Sequence, residues 1–188
     1  SRDFDIVVYN MCFAKTNDEA YIKNILEPHE AGLPAIVIHC TMHTFRSLKD
    51  DMWRKFLGVT TVRHGPHFPI HVHTVVPDHP ILQGLPKEWK TPKGELYHIQ
   101  KVWDTATPLA VGTREASLDD SGHPCVWVNT FGKAKVFGTT LGHHNETMQQ
   151  THYLDMVARG MLWTLERLDE KHFRRVTAKE DAEAQKNL

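Results

Sequence analysis

The tightest constraint on the fold is a strand–helix–strand run at the start of the chain. Asp5–Asn10 (DIVVYN) is short, β-branched and ends in polar residues, which reads as a buried strand. A helix follows. Thr16 or Asn17 can cap it, Asp18 and Glu19 are favourable in its first turn, and Tyr21, Ile22, Ile25 and Leu26 form its inner stripe. Gly32 stops it and Pro34 opens a second strand, Ala35–His39. Strands joined by a helical crossover of this length run parallel, with a right-handed connection. The second strand belongs to the stretch Leu33–Phe45 (LPAIVIHCTMHTF), an apolar run that breaks into His39, Cys40, Thr41 and His43. In open α/β sheets the C-terminal ends of strands face the crevice where ligands bind, so His39 is expected on the floor of a cleft.

The rest of the chain extends that core. A helix is expected over Asp50–Leu57, with Trp53, Phe56 and Leu57 inward and Gly58 as its stop. In Phe68–Val76, Ile70, Val72 and Thr74 share one face, with His71 and His73 on the other, which suits an edge strand or cleft wall. Asp78–Pro86 is too rich in Pro and Gly for regular structure. Four strand-like pieces follow without long helices between them: Leu96–Val102, Pro108–Thr113, Pro124–Asn129 and Ala134–Thr140. The last two are joined by a Gly-containing hairpin turn at Thr130–Lys133, so this part reads as an antiparallel extension. Leu154, Val157, Met161, Leu165 and Leu168 then mark an amphipathic helix. The expectation is one α/β domain over residues 1–168, a mostly parallel sheet with flanking helices, followed by a charged tail over 169–188.

Several function classes drop out early. A formal net charge of -1 and a pI near 6.9 offer no bulk attraction for nucleic acid or an anionic membrane. No run approaches the roughly 20 apolar residues of a membrane span. The chain starts at Ser1 without Met, so an upstream segment is expected to have been removed, and a soluble cytoplasmic or periplasmic location both stay open. Cys12, Cys40 and Cys125 form no CxxC and no even set, and read as buried free thiols rather than a disulfide scaffold.

Histidine is the compositional outlier, at 14 residues, and His39, His43, His64, His67, His71, His73 and His79 crowd one region. A second strand end, Leu141-Gly-His143-His144, can face the first, and Glu95 precedes another strand beside Tyr97. His39, His143 and Glu95 together suit a divalent ion, zinc first, with an open coordination position. They equally suit an acid/base pair. His43 and His144 are secondary candidates. A plain alternative leaves His39 as a strand-end residue bonded to backbone. Cys40 could act as a nucleophile with His143 as base, but strand alternation turns it to the face opposite His39. His71 and His73 could join a metal site, although a solvated edge suits them better. Trp89 and Trp103 could line a carbohydrate site, whereas the other tryptophans suit a core. No HExxH, GxSxG, P-loop or GxGxxG is present.

Taken in order, eight pieces resemble the ThuA-like, or trehalose-utilisation, family. They are Phe4–Asn10, the Ile38-His39-Cys40 junction, Trp53–Gly58 (WRKFLG), His79–Pro86 (HPILQGLP), Glu95–Tyr97, Pro124–Val128 (PCVWV), Gly132–His143 (GKAKVFGTTLGH) and Arg159–Trp163 (RGMLW). The resemblance implies a flavodoxin-like fold of the class I glutamine amidotransferase-like superfamily. There the nucleophilic Cys sits on a strand-to-helix elbow and its His partner in a His-Pro-Glu motif. Here the elbow position falls on His39, with Cys40 one place later, and His143 is followed by His144 and Asn145. The Cys-His-Glu triad is therefore not intact, and glutamine hydrolysis is not expected. Members of the family usually carry a strand and a His-containing loop ahead of the first strand seen here.

The resemblance also implies carbohydrate, of trehalose or keto-disaccharide type, as the substrate class, and a divalent metal in some members. The favoured expectation is a sugar-derivative lyase, isomerase or hydrolase centred on His39, His143 and Glu95. The rival is a non-catalytic module binding a sugar or a partner on the same scaffold. A homo-oligomer is compatible with either.

Overall fold

The computed structural model describes residues 3–118, 122–169 and 171. Its elements are β1 (Val7–Tyr9), α1 (Glu19–Glu30), β2 (Ala35–Ile38), a 3₁₀ turn (His39–His43), α2 (Met52–Leu57), β3 (Val59–Phe68), β4 (His71–Thr74) and β5 (Glu88–Lys90). They continue as β6 (Gly94–Val102), β7 (Ala106–Thr113), β8 (His123–Phe131), β9 (Ala134–Thr139), α3 (Asn145–Met148) and α4 (Thr151–Thr164). Seven strands form one sheet in the order β1-β2-β9-β8-β7-β4-β5. β1, β2 and β9 pair in parallel, and the sheet continues antiparallel from β9 to β5. This is the expected flavodoxin-like α/β class with its antiparallel extension.

β2 shows why helices cover both faces. Its four residues are all buried. Alternation sends Ala35 and Val37 into one layer with Ile22, Leu26, Trp53 and Phe56, and Ile36 and Ile38 into the other with Phe137, Tyr153 and Met156. The smaller pair faces the aliphatic side chains of α1 and the bulky aromatics of α2, and the larger pair faces α4. Each fully buried aliphatic side chain contributes about 1.5–3 kcal/mol.

Several expectations need correction. Asp18, not Thr16 or Asn17, caps α1, its carboxylate accepting from the Tyr21 amide at 3.0 Å. Tyr21 is exposed, so the inner face of α1 is Ile22, Leu26 and His29. β1 is the sheet's edge and leaves Val8 exposed, rather than a buried strand. β4 lies between β7 and β5 rather than at the edge, and His73 is buried with Nε2 2.9 Å from Thr113 Oγ1. Trp89, in β5, is buried core and no sugar platform. Trp103 is covered by Lys101, whose Nζ lies 3.5 Å from the ring centroid. Cys12 is exposed and Cys40 half-buried, and only Cys125 is fully enclosed.

Of the expected stripe, Val157, Met161 and Leu168 pack against the core, but Leu154 is exposed, and Tyr153, Met156, Gly160 and Thr164 are buried more deeply. A Cβ on Gly160 would come within 2.5 Å of the Phe137 ring, so this glycine sets which face can approach the sheet. Of the expected tail, only Asp169 and Lys171 fall within the described residues.

Candidate functional site

The site grows from the pairing of β2 with β9. The strands are parallel neighbours, with Ile38 opposite Thr139, so their C-terminal ends open on the same side of the sheet. At the end of β2 the backbone turns sharply: His39 has φ 45, a left-handed value that is uncommon for a residue with a side chain. That elbow swings the imidazole toward β9. Beyond β9 the chain runs through Gly142 at φ 102, where a Cβ would lie 2.5 Å from the Tyr153 hydroxyl, and then presents His143. A separate ribbon of β3 and β6 supplies the third side. Its antiparallel register sets His64 opposite Tyr97 and His67 opposite Glu95.

These elements bring three donor atoms together. His39 Nε2 is 2.9 Å from His143 Nδ1. Glu95 Oε2 is 3.5 Å from His39 Nε2 and 3.3 Å from His143 Nδ1. The other nitrogen of His39, Nδ1, donates to the Thr140 carbonyl at 2.7 Å. Because a carbonyl only accepts, Nδ1 carries the proton and the neutral ring keeps its lone pair on Nε2, aimed at the other two atoms. Glu95 Oε1 is held by His67 Nε2 at 2.8 Å, with His64 Nδ1 at 3.5 Å. His39 and Glu95 are buried, while His143, His64 and His67 are partly exposed and mark the open side.

The electrostatics favour one protonation state. Burial lowers the His39 pKa, against the opposing pull of its Thr140 bond, and burial likewise lowers that of His143. Burial opposes ionisation of Glu95. The His67 hydrogen bond and the neighbouring imidazoles outweigh it and hold the carboxyl below its ordinary range. Near neutral pH the centre is thus a carboxylate beside neutral imidazoles, the state that metal ligation requires.

His39, His143 and Glu95, expected as the centre, are brought together. Of the secondary candidates, His144 adjoins His143, with ring centroids 4.3 Å apart. His43 stacks on Tyr97 at 4.5 Å, outside the donor triangle, and burial with the nearby Arg46 lowers its pKa to about 4. Cys40 lies 3.9 Å from the Tyr97 hydroxyl. Burial raises its pKa, against the Tyr97 contact, so the thiol stays protonated.

His64 and His67 were visible only as members of a histidine-rich region and carried no assigned role. Val59-Thr-Thr-Val62, directly after the Gly58 stop, was the signal for their strand, and Gly65-Pro66 interrupts it. Among the described residues, two groups of three could hold an ion: His39, Glu95 and His143, and His67, His143 and His144. Tetrahedral zinc with ligand bonds of roughly 2.0–2.1 Å sets its donors about 3.3–3.4 Å apart, close to the first group's separations.

The comparisons with known proteins agree with this architecture. A family model described as ThuA, trehalose utilisation, matches residues 2–164. No curated protein matches the chain. A ThuA-like protein from Parabacteroides merdae superposes with TM-score 0.73 at 19% identity, over 87% of this chain and 71% of its own. One from Bacteroides uniformis gives 0.69 at 16%, over 86% and 69%. A cold-adapted β-galactosidase from Rahnella gives 0.57 at 16% identity, over 89% of this chain but 24% of its own. At these identities the structural likenesses establish the fold. No helix among the described residues is long and apolar enough to cross a membrane.

Proposed function

The chain belongs to the ThuA, trehalose utilisation, family, and on that footing we propose that it is an enzyme acting on a sugar derivative through a divalent ion held by His39, His143 and Glu95. One observation carries the reading. Nε2 of His39, Nδ1 of His143 and Oε2 of Glu95 form a triangle with sides of 2.9, 3.3 and 3.5 Å, and the Thr140 carbonyl turns the His39 lone pair inward. A partner that fixes the tautomer of a ligating histidine is the usual second half of such a site. Zinc suits two imidazoles and a carboxylate, and three protein ligands leave a fourth position for substrate.

A bound ion would supply Lewis-acid polarisation of a carbonyl or hydroxyl oxygen. The chain's own groups do the rest. Glu95 stays anionic because His67 holds its outer oxygen. His64 and His67 line the open side of the centre, within 3.5 and 2.8 Å of Glu95 Oε1. Such a set fits proton abstraction or elimination beside the keto group of a keto-sugar. The test is turnover of a keto-disaccharide by metal-free and zinc-reconstituted protein. Activity only after reconstitution supports the reading, and equal activity in both removes the ion from it.

A non-catalytic module is the second reading, favoured by the elbow position, which carries an imidazole where a thiol nucleophile would sit. Sugar binding by metal-free protein, without turnover in either form, would select it.

A further inference from the structure

We propose a second, outer cation position, formed by His67, His143 and His144 and sharing His143 with the inner one. It rests on the inner centre being a metal site, as read above. The three side chains each offer a ligand atom, and those atoms lie within 4.8 Å of one another. Their rings are in mutual contact, with centroids 4.3 Å apart for His143 and His144, 4.7 Å for His67 and His143, and 5.2 Å for His67 and His144.

Contact alone also describes three neutral histidines packed at a surface. His144 separates the two descriptions. Its Nδ1 is shielded from solvent and has no hydrogen-bond partner among the described residues. Buried polar atoms are overwhelmingly partnered, and this ring is in contact with two more imidazoles. With its proton on Nε2, His144 offers a lone pair at Nδ1 that suits a cation. His143 can bridge both positions as an imidazolate, with Nδ1 facing His39 and Glu95 and Nε2 left for the outer ion, the ring proton passing to solvent when the second ion binds.

The two positions differ in chemistry. The inner set is mostly buried and includes a carboxylate, whereas the outer set is all imidazole and opens to solvent through the partly exposed His67. Imidazole-only sites accept zinc, copper or nickel. The outer position also spans two units of the fold, since His67 comes from the β3–β6 ribbon and the other two follow the main sheet. Two cations side by side hold two oxygens of one substrate. That selects a sugar with a keto group adjacent to a hydroxyl, which chelates through both.

The test is zinc titration by calorimetry into metal-free full-length protein and into His39→Asn, His67→Asn and His144→Asn, with circular dichroism to confirm folding. Wild type should take two equivalents. His144→Asn should keep the tight one and weaken the other by roughly 100-fold, whereas His67→Asn, which also removes the hydrogen bond to Glu95, should weaken both. His39→Asn should lose the tight one. Cobalt(II) gives an independent readout: the second equivalent should alter the absorption of the first in wild type and fail to do so in His144→Asn. One equivalent in wild type rejects the outer position and leaves the inner reading standing. No equivalents reject both. A second equivalent that survives both outer variants lies elsewhere and overturns the assignment.

Discussion

His39 Nε2 and His143 Nδ1 approach to 2.9 Å although the residues are 104 positions apart, because each follows the end of one of two adjacent parallel strands. With the His39 proton on Nδ1, the contact is a bond donated by His143 Nδ1–H to His39 Nε2. An ion at this point would displace that proton from Nδ1 to Nε2 of the same ring, so loading the inner position would leave His143 neutral with its other tautomer.

Replacing His143 tests the centre with little risk to the fold, since its side chain is partly exposed. His143→Ala should lower turnover of a keto-disaccharide by about 100-fold or more while changing unfolding free energy by less than about 1 kcal/mol. Steady-state kinetics beside urea denaturation check both halves. Unchanged turnover would remove His143 from the site.

Glu95→Gln keeps the shape and removes the charge. Bound zinc, measured by elemental analysis after dialysis at equal free zinc, should fall at least about tenfold. Retained zinc would mean that the carboxylate is not a ligand.

Acid should destabilise the protein before its carboxylates titrate. Burial lowers the pKa of His29, whose Nδ1 donates to Leu33 and whose Nε2 accepts from Tyr9, and burial with Arg46 lowers that of His43 to about 4. Both are depressed bases, so below about pH 6.5 the unfolded chain binds protons that the folded chain refuses. Stability is therefore complete above that pH and falls toward pH 4, by up to about 1.4 kcal/mol per pH unit for each group. Urea midpoints across this range give the slope. His43→Phe keeps a ring stacked on Tyr97, removes the unpartnered Nε2, and should flatten the slope. A slope that rises toward acid would contradict the assignment.

Cys40 should behave as an ordinary thiol. Its raised pKa predicts slow alkylation by iodoacetamide at neutral pH, with exposed Cys12 modified first, and Cys40→Ala should retain turnover. Rapid labelling of Cys40 with loss of activity would revive a thiol mechanism.

Gly142 positions His143 through a backbone angle that a side chain strains, and Tyr153 fills the space a Cβ would need. Gly142→Ala should cost about 1–3 kcal/mol of stability and reduce zinc affinity together. A loss of stability without loss of zinc would confine the glycine to a structural role.

How much of this was legible follows from where the controlling contacts lie. The ends of β2 and β9 could be read because an apolar run passing directly into histidine is a local pattern. The crossover predicted only that β1 and β2 run parallel; the parallel pairing of β2 with β9 was not legible, because β9 closes a hairpin and read as part of the antiparallel extension. The β3–β6 ribbon could not be read so easily. Gly65-Pro66 interrupts its periodicity and its pairing shifts register three times, so His64 and His67 carried no strand signal of their own. The face of α4 was misjudged at Leu154 for a nonlocal reason: the close approach of Gly160 to Phe137, more than 20 residues away, decides which side lies nearest the sheet. Helical spacing alone favoured Leu154.

The most direct test of the central claim is anomalous diffraction at the zinc edge from crystals of zinc-loaded protein. The account predicts a peak bonded to His39 Nε2, His143 Nδ1 and Glu95 Oε2 at roughly 2.0–2.2 Å. Zinc-loaded crystals with no peak there, and with His143 still donating to His39, would contradict it.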